Sequence, residues 1–155
     1  MEQATLVQNK SEYSVATVGN MADFGGKVFL KELINTTGME VSIGSIEAGQ
    51  SVPFFHSHKQ NEEVYIFLSG EGRFILDNDE IAVESGTIVR VAPSVMRRLC
   101  NTGSTPLQHI CIQAKAGSLG DSFMDACRPM VDWAIAHFAE VIKNRSPYIQ
   151  NADNT

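Results

Sequence analysis

The stretch Pro53-Phe54-Phe55-His56-Ser57-His58-Lys59-Gln60-Asn61-Glu62-Glu63-Val64-Tyr65-Ile66-Phe67 sets two imidazoles one residue apart and a carboxylate five residues beyond the second. Residues 54–58 follow a proline, and residues 64–68 are β-branched and aromatic, so both segments read as strands, with 59–62 as the loop between them. Side chains two apart on a strand share a face. His56 and His58 are therefore expected to point the same way, and a neighbouring strand that starts at Glu63 brings its carboxylate beside them. Glu62, of the opposite parity, is expected to face away.

Two imidazoles and one carboxylate on one side of a divalent ion leave positions open for water or substrate, an arrangement that suits Fe(II), Mn, Ni, Co or Zn. An HxH pair can also be a surface accident. Here two of the chain's four histidines fall in the pair, in an apolar setting of Pro53, Phe54, Phe55, Tyr65 and Phe67. Tyr65 and Phe67 share the parity of Glu63 and either line a small-molecule pocket or pack a core. Gln60, in the loop, can reach such a site from its rim.

Working outward, residues 13–18, 27–34 and 39–47 alternate as strands, and 20–24 reads as a short turn or helix start. Asp77-Asn78-Asp79 marks a hairpin between 73–76 and 80–83, and Glu84-Ser85-Gly86 turns the chain into 87–91. About nine or ten short strands parted by Gly and Asn/Asp turns predict a closed or sandwiched all-β fold. Residues 1–26 read as an N-terminal extension with a possible edge strand, 27–115 as the barrel, 116–145 as a C-terminal helical segment and 146–155 as a disordered tail. In the helical segment Met130, Val131, Ala134, Ile135, Phe138, Val141 and Ile142 recur at three and four residues, behind Pro129. Trp133 and Phe138 could cover a barrel opening or build an interface, and His137 reads as an interface or surface residue.

Gly49, His56-Ser57-His58, Glu63 and Gly70 together resemble the first motif of the cupin family. Gly86, Ala92-Pro93-Ser94-Val95 and Asn101-Thr102-Gly103 resemble its second motif, across a spacer of residues 71–85. The resemblance implies a double-stranded β-helix, or jelly-roll barrel, commonly assembled as a homodimer, to which the periodicity adds a C-terminal α-helix. It further implies a divalent transition metal held by His56, His58 and Glu63 with one more histidine from the second motif. That fourth position falls on Arg97, which is permanently protonated and has no lone pair to give. Three readings follow: a three-ligand metal site, a site with weak or no metal, or an arginine whose planar fork receives a substrate carboxylate or phosphate.

Alternation puts Arg97 and Arg98 on opposite faces, with Arg97 inward in the motif register. Residues 107–113 alternate too and place His109, Cys111 and Gln113 on one face. If that face is interior, His109 could stand in for the missing ligand and Gln113 could hydrogen-bond a substrate; otherwise His109 is structural. The net charge of −6 and the pI near 5.1 argue against a nucleic-acid partner. The first six residues lack a charged start and apolar run, and no segment approaches the ~20 apolar residues of a membrane span. Three cysteines, Cys100, Cys111 and Cys127, without CxxC spacing suit a reducing, cytoplasmic setting. The function expected is that of a metal-dependent enzyme on a small polar or anionic substrate, of dioxygenase or sugar-phosphate-isomerase type. The alternative is a non-catalytic small-molecule or metal-binding, sensing cupin, one form of which is metal-free with Arg97 holding an anion.

Overall fold

Along Asn61–Ser69 every second side chain turns inward: Glu63, Tyr65 and Phe67 are buried while their neighbours are partly or fully exposed. The computed structural model describes residues 3–119, 132–138 and 140. Its strands are β1 (Thr5–Asn9), β2 (Ser14–Thr17), β3 (Gly26–Phe29), β4 (Met39–Ile46), β5 (Asn61–Ser69), β6 (Glu71–Leu76), β7 (Asp79–Glu84), β8 (Ile88–Val91), β9 (Arg97–Asn101) and β10 (Leu107–Lys115). A five-stranded sheet runs β3-β4-β10-β5-β8 and a three-stranded sheet runs β7-β6-β9, all antiparallel; β1 and β2 form a separate hairpin. The all-β fold expected from the strand spacing is present, in the jelly-roll form that the motif resemblance implies.

The core packs side chains of both larger sheets: Tyr65, Phe67, Phe74, Val83, Val91, Leu99, Leu107 and Cys111. Tyr65 meets Phe74 edge-on at 4.8 Å between ring centroids, the geometry that aromatic quadrupoles favour. Gly70 links β5 to β6 at φ 79°, and a Cβ there would lie 2.5 Å from the Pro106 carbonyl oxygen, so only glycine fits.

Three strand expectations are corrected. Residues 27–34 are not one strand: β3 ends at Phe29 and a short helix, α1 (Lys31–Ile34), follows. The cause lies ten residues away, where the Glu40 carboxylate on β4 accepts from the Leu30 and Lys31 amides at 3.1 and 3.0 Å and caps the turn. β1 has no counterpart in the expected strands, because all five of its residues are exposed and no alternation marks it. Residues 54–58 are not a strand either. Pro53 lacks an amide hydrogen, and the segment pairs with β9 through one isolated bridge, His56↔Arg97, rather than a ladder.

The chain divides after Ser118 into two units. In the second, the described residues 132–138 and 140 are helical, with Trp133 stacked on His137 at 5.0 Å and both exposed. Met130, Val131, Val141, Ile142 and the tail 146–155 lie outside the described residues.

Candidate functional site

Four backbone bonds, rather than a strand, hold the histidine pair. The Val52 amide donates to the Leu99 carbonyl at 2.9 Å, His56 and Arg97 exchange amide bonds at 3.2 and 2.9 Å, and the His58 amide donates to the Pro93 carbonyl at 2.8 Å. Spaced in this way, the ties aim both imidazoles inward, with ring centroids 5.6 Å apart at 76°. Glu63 arrives from β5 by strand parity. One potential ligand atom from each of His56, His58 and Glu63 lies within 4.8 Å of the other two, and no further residue joins that group among the described residues. Glu62 faces away, as its parity predicts, and pairs with Arg90 at 2.6 Å.

The Glu63 carboxylate is fully engaged. Its Oε1 lies 2.9 Å from His58 Nε2, while its Oε2 accepts from the Tyr65 hydroxyl at 2.9 Å and from Arg97 Nε at 2.7 Å. Burial by itself would raise this carboxyl, but hydrogen bonds from His58, Tyr65 and Arg97, with the guanidinium charge, outweigh it and hold Glu63 below the ordinary carboxylate range. Burial lowers His56; the attraction of Glu63 opposes this and repulsion from Arg97 adds to it, so the ring is kept neutral. Burial, with Cys111 and Glu63 nearby, raises Tyr65 and keeps it a phenol that donates. Burial and Glu63 likewise push the Cys111 thiol up to about 12.

Arg97 points inward, as alternation predicts, and is 0% exposed. Its fork is not open to a substrate. Nε is spent on Glu63, and Nη1 donates to the carbonyls of Pro93 at 3.1 Å and Val95 at 2.7 Å. Nη2 alone is without a partner, and it is sealed from solvent. The arginine is thus a clamp on Glu63, and the expectation that it receives an anion gives way to that role.

These groups lie on the wall of a cavity of about 610 Å³, which Tyr65, Gln113 and His109 also line. Gln113 pairs with Glu63 across the β10–β5 ladder and accepts from Asn61 at 3.1 Å. His109 is buried and does not join the ligand group; burial and Lys27 bring its pKa down to about 4. Gln60 is exposed and stands outside the cavity lining, because β5 begins at Asn61 and leaves it on the outer turn. Phe67 is 1% exposed in the core, one step deeper than Tyr65, and does not reach the cavity. Lys27 and Gly44 are among the lining residues that escape the sequence reading. Their register partners sit on other strands, and nothing local marks them.

The donor set tests well against a divalent ion. His58 Nε2 and Glu63 Oε1 are already 2.9 Å apart, close to the spacing of two ligands at ~2.1 Å on one ion. His56 Nδ1 is buried without a partner. Support of Glu63 Oε2 by Tyr65 and Arg97 matches the outer hydrogen bonding that orients ligating carboxylates.

Comparison with known proteins agrees with this geometry. A family model described as a cupin domain matches residues 42–113. A crystal structure of a cupin protein from Bacteroides fragilis is 43% identical with a TM-score of 0.62, over 64% of this chain and 85% of that one. The oxalate-binding protein of Thermotoga maritima is 25% identical over 118 residues, 72% of this chain and 97% of that protein. The glucose-6-phosphate isomerase of Pyrococcus abyssi is 38% identical over 63 residues, 37% of this chain and 33% of the enzyme. The chain spans only a third to a half of the length of several curated relatives. With the jelly roll, both motifs and 43% identity across most of a solved relative in agreement, the chain belongs to the cupin family.

Proposed function

We propose that this cupin binds a divalent transition metal, Fe, Mn, Ni, Co or Zn, through His56, His58 and Glu63, and acts on a small polar or anionic molecule in the adjoining cavity. The observation that carries the reading is the convergence of three donors within 4.8 Å on the wall of a cavity of about 610 Å³, a volume in the range of small-molecule sites. When bound, such an ion supplies Lewis acidity to a substrate oxygen or a seat for dioxygen. The protein's own part is orientation and charge. His56 stays neutral and available, Tyr65 keeps its proton on the Glu63 side, and Arg97 fixes the carboxylate. Phe54, Pro53 and Val52 supply apolar wall that limits water around the polar end.

An enzyme of dioxygenase or sugar-phosphate-isomerase type is one form of the proposal, supported by the likeness to an isomerase over a short span. A non-catalytic binding protein is the second, favoured by a relative named for oxalate binding and matched over 97% of its length. A cytoplasmic homodimer completes the reading, to be checked by sedimentation. Elemental analysis of natively purified protein, with His56→Ala beside it, tests the metal. One transition metal per chain that vanishes in the variant supports the site. No metal after reconstitution rejects it. Turnover of sugar phosphates or dioxygen uptake by the loaded protein then separates enzyme from binder.

A further inference from the structure

With Arg97 Nε and Nη1 spent on Glu63 and loop carbonyls and Nη2 sealed from solvent, an anion in the cavity needs donors elsewhere. Three cations, Lys27, Arg97 and Arg98, and two carboxylates, Glu47 and Glu63, line it. The cavity therefore carries a positive excess inside a chain of net charge −6. Arg97 is bound to Glu63 at 2.7 Å. Arg98 donates through Nε to the Val52 carbonyl at 2.8 Å and lies over the Phe55 ring at 5.6 Å. Lys27 has no ion-pair partner among the described residues; its ammonium rests over the Phe29 ring, 4.7 Å from the centroid.

Register brings Lys27 into line with a buried donor. Lys27 pairs with Gly44 across β3–β4, and Gly44 pairs with His109 across β4–β10. No side chain stands between them, because the middle position is glycine. A Cβ on Gly44 would lie 2.5 Å from His109 Cε1 and 2.7 Å from Nε2, so the imidazole occupies the space a side chain would fill and leans over β4. His109 is 4% exposed and its Nδ1 has no hydrogen-bond partner. A neutral imidazole beside an unpaired ammonium on one cavity wall is a pair of donors suited to an oxyanion.

We propose that Lys27 and His109, juxtaposed across Gly44, form an oxyanion subsite that holds the carboxylate or phosphate of a small ligand in the cavity. The subsite rests on the reading of the cavity as a small-molecule site, and it assigns the anionic end of that ligand to β3 and β10 rather than to Arg97.

Titration calorimetry of the protein with inorganic phosphate and with malonate, at low salt, tests it. Lys27→Met, which keeps the apolar stem, should weaken the better-bound probe at least tenfold, and Lys27→Arg should recover most of that loss. His109→Gln, which retains a neutral donor, should weaken binding less than His109→Leu. Preference for phosphate or for malonate identifies the oxyanion. Binding that is unchanged in Lys27→Met, or absent in the parent protein, overturns the subsite. Metal content measured on the same samples keeps the two ideas apart: metal without anion binding defeats the subsite alone. Anion binding that depends on Lys27 in protein that takes up no metal defeats the metal-site reading alone.

Discussion

A guanidinium removed from water costs several kcal/mol unless its donors are met, and Arg97 meets the cost with Glu63 and two loop carbonyls. Arg97→Met should destabilise the fold by about 3 kcal/mol, since it leaves a buried carboxylate short of its cation; urea unfolding at neutral pH measures this. Arg97→His should instead add a fourth ligand and raise metal retention under competition with a chelating dye. Inward pointing of Arg97 was legible, because alternation with Arg98 forces one of the two inside. Its partners were not, since the carbonyls of Pro93 and Val95 are aimed by a turn that no local pattern encodes. His109 offers a pH test. Its pKa falls from the ordinary 6.5 to about 4 in the fold, under burial and the Lys27 charge, with Glu63 opposing and Tyr65 packed against the ring. The unfolded chain therefore takes up the proton first as pH falls. Stability should drop by about 3 kcal/mol between pH 6.5 and 4 from this group. The difference between parent and His109→Gln stability across that window checks it: a constant difference would contradict the neutral, buried imidazole.

At the scale of elements, the segment that carries the histidines shows how tertiary ties can replace secondary structure. Sequence parity correctly put Glu63, Tyr65 and Phe67 on one face, because β5 is a central strand with regular alternation. The same reasoning failed for residues 54–58, where orientation comes from bonds to Leu99, Arg97 and Pro93. Both imidazoles point inward, but for a long-range reason. The α1 turn was illegible on the same grounds, as its cap is the carboxylate of Glu40 on β4. Glu40→Ala should cost about 1 kcal/mol through loss of that cap, read from the shift in the thermal unfolding midpoint. Gly70→Ala should cost more, at least about 2 kcal/mol, because a positive φ and the crowding of Pro106 act together.

For the whole molecule, the fold was legible because turn residues recur at short, regular spacing and two motifs fix the register between distant strands. The convergence of the three candidate donors was legible in the sequence, and the charge balance was not, since it depends on which cation each carboxylate finds. If His56, His58 and Glu63 hold an ion at one hundred times its dissociation constant, loading should add about 2.7 kcal/mol, about 5–10 °C in melting temperature for a chain of this size. A chelator should reverse the shift, and His56→Ala should show none. The Arg97–Glu63 pair carries one more consequence. Because the carboxylate finds a counter-charge within its own polypeptide, nothing in the interior waits for an ion before folding can finish. A newly made chain in a metal-starved cell is expected to complete its barrel and stand ready. Loading is then a late and reversible event, set by supply rather than by synthesis.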